Sequence, residues 1–334
     1  MQQIEFLYLS RADVINVGIS MPEAIAVAEA ALREHGHRRF ENPPKPGVHP
    51  LPDAFIHAMP GFLPGLHAAG LKWVSGFSSN YKHGLPNIIG LMILNDTQTG
   101  KPLAVMDCSW ITQTRTGAVS AVAARYLARK GAQVVGIVGA GVQGRANVLA
   151  LKEVLPRIKV IKVFDINEEI LHQFVTSMRK MLPFDGEKTE SAKSAINAAD
   201  VIVTATGKLA KPIFKRSWVR PGALILPVHT RGWETDTPAR VDKFVVDHWD
   251  QFRQAQEKEG GYYESLPALY AELGDIVAGT KPGRENDIEC IMDHNYGMAI
   301  QDVALAKEIF QRAVEKGLGT VLPLMEATGR GALP

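Results

Sequence analysis

The stretch "GIVGAGVQG" (136–144) decides the fold, because it spaces three glycines as a dinucleotide-binding loop does. It follows a run of β-branched residues and opens a segment with helical periodicity. Gly139 permits a tight turn, Gly141 lets the backbone approach a pyrophosphate, and Gly144 allows helix and strand to pack closely. The amide groups at the start of the helix would face the phosphates. The stretch therefore predicts a dinucleotide site. Without the strand and the helix around them, the glycines could equally form a tight turn that binds no ligand.

The next predicted strand, "VIKVFD" (160–165), ends in an acid that bears on the choice of cofactor. Asp165 stands 26 residues after Gly139. A carboxylate at this place accepts hydrogen bonds from both ribose hydroxyls and repels a 2′-phosphate. The sequence therefore predicts NAD as the cofactor in preference to NADP.

Strands and helices alternate on both sides of the glycine loop. Continuous apolar strands are predicted at 132–139, 160–165, 200–207, 222–228 and 243–247. Such strands, separated by helices, indicate a parallel sheet covered on both faces. Thr206 would lie at the carboxyl edge of this sheet, where doubly wound sheets bind their ligands. The fold class predicted for this part is therefore α/β, with a Rossmann-type doubly wound parallel sheet.

The first 110 residues show a different pattern. A short strand at 5–9 is followed by "SMPE" (20–23), a capping-box signature that begins a helix. Five prolines in 41–52 exclude a regular element there. The apolar runs "NIIGLMILND" and "PLAVMD", joined by "TQTGK", predict a β-hairpin. This part is thus an α+β unit with an antiparallel sheet, and the amphipathic helix at 297–317 is expected to pack on it.

Composition and charge narrow the range of functions. The chain has 334 residues, which favours two domains, and 37 basic against 35 acidic residues give a net charge of +2. This balance argues against a nucleic-acid partner. Cys108 and Cys290 have no cysteine or histidine at metal spacing, and the histidines near the N-terminus form no such pattern, so no disulfide framework and no metal is expected. No apolar run fits a signal peptide or a membrane span, which favours a cytoplasmic protein.

Several runs together resemble one family, the ornithine cyclodeaminase / mu-crystallin family. They are "LKWVSGF" (71–77), "TQTRTGAVSAVAARYLA" (112–128), "GIVGAGVQG", "AELGDIVAGTKPGR" (271–284) and "GMAIQDVALA" (297–306). The resemblance covers about residues 21–317 and implies a homodimer. It also implies a dimerisation and substrate domain, 1–115 plus 297–334, into which an NAD-binding Rossmann domain, 116–296, is inserted. The apolar hairpin sheet carries more apolar residues than one small domain can cover, which also favours a homodimer.

The resemblance implies roles for particular residues. Lys72 matches a lysine that meets the substrate carboxylate, and Arg115 matches an arginine near the cofactor phosphates and the substrate. Lys45 stands where relatives often have a carboxylate-binding arginine, and lysine offers a point charge in place of a fork. Asn87 stands where a hydroxyl-bearing cofactor contact is common. Further matches to cofactor positions are Val142, Gln143, Asp165, Thr206 and Val228, and His294 and Met298 lie in the motif that closes over the nicotinamide.

The stretch "LPVHTRGWETD" (226–236) departs from the family pattern. Ornithine cyclodeaminases carry an aspartate here, in a Gly-Gly-Asp context, which takes the proton from the substrate amine. This chain has His229 instead, and Glu234 is the nearest acid. His229 follows an apolar strand and could titrate near neutral pH, so it is a candidate for proton exchange. For His229 and for Glu234 a purely structural role is the alternative.

Three functions are compatible with the sequence. The first is an NAD-dependent oxidoreductase for the C–N bond of a small amino or imino acid, such as an amino-acid dehydrogenase or a ketimine reductase. The second is a cyclodeaminase, a lyase that uses NAD transiently, and the third is a non-catalytic binding protein. The missing aspartate counts against the second, and the retained Lys72 and Arg115 count against the third. The sequence therefore favours the oxidoreductase, with Lys72, His229 and Glu234 as candidate catalytic residues.

Overall fold

A computed structural model describes residues 3–181, 185–207, 209–229, 231–258, 262–263 and 265–326. The chain forms two compact units, each of which is described by itself. The first unit takes the described parts of 1–20, 39–112 and 298–334, and the second takes those of 21–38 and 113–297. Among the described helices, none has the length and apolar character that a membrane crossing requires. The cytoplasmic location stays a prediction.

The described strands and helices are numbered in chain order. The strands are β1 (Gln3–Leu9), β2 (Gly47–Val48), β3 (Ala54–Leu63), β4 (Ala68–Phe77), β5 (Ile88–Asn95), β6 (Pro102–Asp107), β7 (Val134–Val138), β8 (Val160–Phe164), β9 (Asp185–Lys188), β10 (Val201–Thr204), β11 (Leu224–Pro227), β12 (Lys243–Val246), β13 (Ala271–Glu272), β14 (Ile291–Asp293) and β15 (Thr320–Glu326). The helices are α1 (Arg11–Asn16), α2 (Met21–Gly36), α3 (Ser109–Leu127), α4 (Val142–Val154), α5 (Glu168–Met181), α6 (Ala192–Ile196), α7 (Trp249–Lys258), α8 (Leu273–Val277) and α9 (Ala299–Lys316).

The first unit is built on a mixed sheet in the order β15-β1-β6-β5-β4-β3-β2. Neighbouring strands are antiparallel except for β1 and β6. The predicted hairpin is confirmed as β5 and β6. The long strand β3 is missing from the prediction, because Pro60 and Gly61 interrupt its apolar pattern. The helix α9 packs against β3 and β4, which agrees with the packing expected of the last helix.

The second unit is built on a parallel sheet in the order β13-β12-β14-β11-β10-β7-β8-β9. This confirms the predicted α/β class, and β7, β8, β10, β11 and β12 all lie within the predicted ranges. The chain crosses from the edge strand β9 back to β10, so β7 and β10 are neighbours. The carboxyl ends of these strands therefore lie at one edge of the sheet, where the glycine loop and Thr206 follow them.

The helix α2 belongs to the second unit, although residues 1–115 were all expected in the first domain. It packs against α8, and the approach is closest at Gly36. A Cβ atom on Gly36 would lie 2.1 Å from the carbonyl oxygen of Gly274. Such a contact joins segments far apart in the chain, and the order of the sequence cannot reveal it.

Candidate active site

Glycines build the turn between β7 and α4. Gly139 has φ +104, and a Cβ atom on it would lie 2.5 Å from the Ala205 carbonyl oxygen. A Cβ atom on Gly144 would lie 2.0 Å from the carbonyl oxygen of Gly139. Gly141 caps α4, and no described atom lies within 4 Å of its Cβ position. The protein's own packing thus requires Gly139 and Gly144, whereas Gly141 keeps space open at the N-terminus of α4, where amide groups can bind an anion.

Asp165 lies directly after β8 and is hydrogen-bonded to the glycine loop. Its Oδ2 accepts a hydrogen bond from the Ala140 amide at 2.8 Å, and its Oδ1 accepts one from the Asn167 amide at 2.9 Å. Each carboxylate oxygen has a second lone pair, so both can still accept hydroxyl groups of a ligand. The sequence predicts the contact with a ligand, and the structure adds that Asp165 orders the loop itself.

Two threonines at the carboxyl end of β10, which is a neighbour of β7, differ in their partners. The hydroxyl of Thr204 is buried and accepts a hydrogen bond from the Trp233 indole at 3.1 Å. The hydroxyl of Thr206 is buried too, but no described residue hydrogen-bonds with it. The same holds for the side-chain oxygen of Gln143 in the first turn of α4. Thr204 therefore holds the protein together, whereas Thr206 and Gln143 have polar atoms that a ligand can satisfy.

The remaining predicted cofactor residues of the second unit differ in exposure. Val142 is 59% exposed at the start of α4, beside the open space at Gly141. Val228 is half-buried after β11, and its amide donates a hydrogen bond to the Thr204 carbonyl at 2.8 Å.

His294 is fully buried and uses both ring nitrogens within the second unit. Its Nε2 lies 3.0 Å from the carbonyl oxygen of His229, and its Nδ1 lies 2.8 Å from the hydroxyl of Tyr263. A carbonyl only accepts, so Nε2 carries the proton and Nδ1 accepts the bond from Tyr263. Burial lowers the pKa of His294 to about 4, and the ring is neutral at pH 7. The ring therefore positions the backbone at His229, and the contact with nicotinamide that the resemblance implies stays a prediction.

The environment of His229 contradicts the prediction that it titrates near neutral pH. Burial, and after it the neighbouring His294, lowers the pKa of His229 to about 3. Its ring stacks at a tilt on Phe214, with ring centres 5.6 Å apart. Both ring nitrogens are buried, and within the described chain neither has a hydrogen-bond partner of ordinary geometry. His229 therefore offers a neutral imidazole for hydrogen bonding, and it is not suited to exchange protons at neutral pH.

Glu234 has a structural role in this fold. Its Oε2 accepts a hydrogen bond from the Arg216 amide at 3.0 Å and lies 4.0 Å from Nη1 of Arg240. The carboxylate thus caps a short turn, Arg216–Trp218, and its catalytic role stays a prediction.

Lys72 forms a buried ion pair in the first unit. It lies in β4 with 1% of its surface exposed, and its Nζ donates to Oδ2 of Asp302 at 2.7 Å. Asp302 is fully buried in α9. Met59 and Met92 lie opposite Lys72 on β3 and β5, so the pair sits among apolar neighbours. The ion pair with Asp302 fixes the position of the ammonium group.

Arg115 lies in α3 and packs against a glycine of the same unit. A Cβ atom on Gly297, which has φ +81, would lie 2.4 Å from Nη1 of Arg115. The Gly297 amide donates to the buried carboxylate of Asp247 at 2.5 Å, and its carbonyl accepts from Gln251 at 3.2 Å. Asp247 and Gln251 thus fix the turn against which the guanidinium lies.

The other predicted residues of the first unit lie at different depths. Lys45 is half-buried in the proline-rich segment, Asn87 is exposed directly before β5, and Met298 is fully buried as the N-cap of α9. Sequence reasoning missed Asp302, although an acid within the apolar pattern of "GMAIQDVALA" is a recognisable signal. It also missed Tyr263, which only the fold brings to His294.

The parallel sheet, the glycine loop and the acid after β8 define a protein of the dinucleotide-binding α/β class. The chain belongs to the ornithine cyclodeaminase/mu-crystallin family, whose sequence model matches residues 7–317. This confirms the resemblance seen in the sequence.

Three relatives illustrate the range of this family. The chain is 40% identical over 317 residues to the nodulation efficiency protein NfeD of Rhizobium meliloti, covering 94% of this chain and 98% of that protein. Its structure resembles that of Thermococcus litoralis Delta(1)-pyrroline-2-carboxylate reductase in complex with NADH and L-proline, with TM-score 0.86, 37% identity and coverage of 94% and 99%. It also resembles an archaeal alanine dehydrogenase dimer with bound NAD, with TM-score 0.85, 33% identity and coverage of 95% and 99%.

Proposed function

We propose that this chain is an NAD-dependent oxidoreductase that acts on the C–N bond of a small amino or imino acid. The observation that carries the proposal is the glycine loop, in which Gly141 leaves an open place at a helix N-terminus beside the fixed carboxylate of Asp165. The relatives with NADH and L-proline and with NAD support the cofactor and the substrate class. Oxidation converts the amino acid and NAD⁺ into imino acid, NADH and a proton, and reduction is the reverse.

The cofactor, when bound, supplies the hydride chemistry, and the chain's residues hold the reactants. We assign the pyrophosphate to the loop Gly139–Gly144, the ribose hydroxyls to Asp165, and further cofactor contacts to Gln143 and Thr206. The neutral ring of His229 is assigned a hydrogen bond to a ligand in place of proton exchange.

Lys72 is assigned to the carboxylate of the substrate. An ammonium group that is shielded from water binds a carboxylate strongly, since water competes poorly for either charge. Asp302 keeps the ammonium in place and offsets its charge, so the group stays buried before a substrate arrives. Arg115 and Lys45 are assigned as further positive charges: Arg115 binds the cofactor phosphates and the substrate, and Lys45 binds the substrate. Asn87, Val142, Val228 and Met298 stay assigned to the cofactor on the family resemblance.

We also propose a homodimer that forms through the outer face of the mixed sheet. Side chains alternate along β4 and β5, so Lys72 and Met92 are buried while Trp73 and Leu91 are each 45% exposed. Trp73 and Leu91 lie opposite each other in the register, and Ile89 extends the apolar patch. A second copy would cover it, as a dimeric relative suggests. Light scattering of Trp73→Lys should show a shift toward monomer, whereas Tyr81→Lys at another exposed aromatic serves as control.

The function is tested by a screen that follows NADH absorbance and ammonia together. Amino acids are offered with NAD⁺, and 2-oxo acids with ammonia or cyclic imines are offered with NADH. A change in NADH that matches the substrate consumed is expected. Ammonia without a net change in NADH would show the cyclodeaminase reaction instead, and cofactor binding with neither signal would show a binding protein.

Lys72→Arg is the matched variant for the substrate site, with Lys101→Arg at an exposed lysine as control. The guanidinium is larger and planar, so Lys72→Arg should lose most turnover. Its affinity for NADH, measured by fluorescence quenching, should stay near that of the unchanged protein. Near-normal turnover of Lys72→Arg would remove Lys72 from the substrate site.

A further inference from the structure

Three side chains that are far apart in the sequence converge in the second unit. His35 lies in the last turn of α2, His248 lies between β12 and α7, and Glu272 ends β13. Nε2 of His35 lies 3.5 Å from Nδ1 of His248 and 3.8 Å from Oε2 of Glu272. Nδ1 of His248 lies 3.3 Å from Oε1 of Glu272. Among the described residues, these three form a group that could hold a metal ion, which the spacing of the histidines in the sequence does not indicate.

The three side chains place their ligand atoms near enough for one small ion. Zinc binds imidazole nitrogen and carboxylate oxygen at about 2.0–2.2 Å in a tetrahedral arrangement, which sets neighbouring ligand atoms about 3.3–3.6 Å apart. The 3.5 Å between the two imidazole nitrogens falls in that range. The 3.3 Å and 3.8 Å contacts of Glu272 involve different carboxylate oxygens, and ligand atoms taken one from each residue lie within 4.8 Å of one another. A metal ion can therefore bind once the Glu272 carboxylate turns one oxygen toward both rings.

Neighbouring groups hold two of the three ligands in orientation. The Trp249 amide donates to Oε1 of Glu272 at 2.8 Å. The ring of His35 packs on Gly274, where a Cβ atom would lie 2.4 Å from Nδ1. Outer contacts of this kind tune metal sites.

We propose that His35, His248 and Glu272 bind one divalent transition-metal ion of the zinc type, which fastens α2 to the segments that begin α7 and α8. Two imidazoles and one carboxylate are a zinc ligand set, with water in the fourth position. The site would join α2 to segments more than two hundred residues further along the chain, where metal binding stabilises most. It does not depend on the proposed function, because none of its ligands is assigned to NAD or the substrate.

Arg38 provides an internal test of this site. Its guanidinium hydrogen-bonds to the carboxylate of Glu272 and, at 2.9 Å, to Asp275, although 56% of the side chain is exposed. A guanidinium on Glu272 competes with a metal ion for the same oxygen atoms. Removing it should therefore strengthen metal binding. Arg38 has φ +59, so glycine is the replacement that fits the backbone without strain.

The experiment titrates the full chain, stripped of metal with a chelator, with Co²⁺ and then with competing Zn²⁺. One Co²⁺ per chain, with the visible bands of four-coordinate cobalt, is expected. His248→Gln should weaken Co²⁺ binding by more than about 100-fold, since losing a ligand costs more than losing an outer contact. His37→Gln, an exposed histidine two residues beyond His35, is the control and should bind as the unchanged protein does. Arg38→Gly should bind more tightly.

The outcomes distinguish metal binding at His35, His248 and Glu272 from unspecific metal binding at the protein surface. Equal Co²⁺ affinity of His248→Gln and the unchanged protein, or no visible bands, would overturn the proposal. Should His248→Gln fail to fold by circular dichroism, the unchanged protein and Arg38→Gly decide: pulsed EPR of bound Cu²⁺ must show two imidazole nitrogens, and Arg38→Gly must bind more tightly. Affinity for NADH should not change in any folded variant, so failure here leaves the proposed function untouched.

Discussion

Two buried pairs of ionisable side chains, one in each unit, differ in whether they carry charge. The first unit keeps a charged pair, Lys72 and Asp302, because each supplies the counter-charge that the other needs away from water. The second unit keeps His229 and His294 neutral, because neither faces an acid close enough to offset burial. The difference teaches that Lys72 keeps a charge away from water, suited to a charged substrate, whereas His229 and His294 offer hydrogen bonds without charge.

The largest effect should follow from breaking the charged pair. Lys72→Met leaves the carboxylate of Asp302 buried without its partner, which should lower the free energy of unfolding by about 3–5 kcal/mol. Urea denaturation at pH 7 measures this loss. The double variant Lys72→Met, Asp302→Leu removes both charges and should be more stable than Lys72→Met. A double variant that is less stable than Lys72→Met would contradict the comparison, because the pair would then not be an interdependent unit.

The next effect concerns the neutral histidines and appears as pH falls. The folded ring of His294 takes a proton only below about pH 4, whereas the unfolded ring takes one below about pH 6.5. Between these values the unfolded state binds more protons, so the free energy of unfolding falls as pH falls. The contribution of His294 approaches about 3 kcal/mol below pH 4.

The variant His294→Gln isolates this contribution, because His35 and His229 shift in the same direction and remain. Unfolding free energies measured by urea between pH 7 and pH 5 should fall less steeply in His294→Gln, by up to about 1.4 kcal/mol per pH unit. His172→Gln, at an exposed histidine, is the control. Parallel pH curves for His294→Gln and the unchanged protein would show that His294 is not held neutral.

The sequence predicts the second unit well because its signals are local. Apolar runs bounded by Gly139, Gly144 and Asp165 specify strand, turn and helix within a few residues, and the structure has all three. The short strands β13 and β14 are not predicted, because two or three residues are too few to show a periodic pattern. In the first unit the hairpin of β5 and β6 is predicted from local signals, but the bond from Lys72 to Asp302 spans 230 residues.

Non-local contacts also explain what the sequence could not show of the candidate sites. His35 and His248 are 213 residues apart, so no ligand spacing could indicate that they meet. The low pKa of His229 depends on how deeply Phe214 and its neighbours cover the ring, which only packing decides. Glu234 is a catalytic candidate because it is the nearest acid after the fifth predicted strand, but the sequence does not show that its carboxylate accepts a hydrogen bond from a backbone amide.

A smaller effect sharpens the role of the glycine loop in the second unit. Gly144→Ala puts a methyl group against the Gly139 carbonyl, so both Tm and affinity for NADH should fall. Gly141→Ala puts it into open space, so Tm should stay the same while affinity for NADH falls at least about tenfold, or about 1.4 kcal/mol. Thermal unfolding without cofactor and fluorescence titration with NADH measure the two quantities. Undiminished affinity in Gly141→Ala would place the pyrophosphate elsewhere.

The smallest effect tests the one fixed charge beside that loop. Asp165→Asn removes the negative charge but keeps an oxygen that can accept the hydrogen bond from the Ala140 amide, so the loop should remain ordered. Loss of repulsion should raise the affinity for NADPH relative to NADH by about tenfold, or about 1.4 kcal/mol. Glu168→Gln makes the same change of charge at an exposed acid three residues further on, and it should leave the ratio of affinities unchanged. Both ratios come from fluorescence titrations at one ionic strength, since salt screens exposed charges. An unchanged protein that binds both cofactors equally would show that Asp165 only orders the loop.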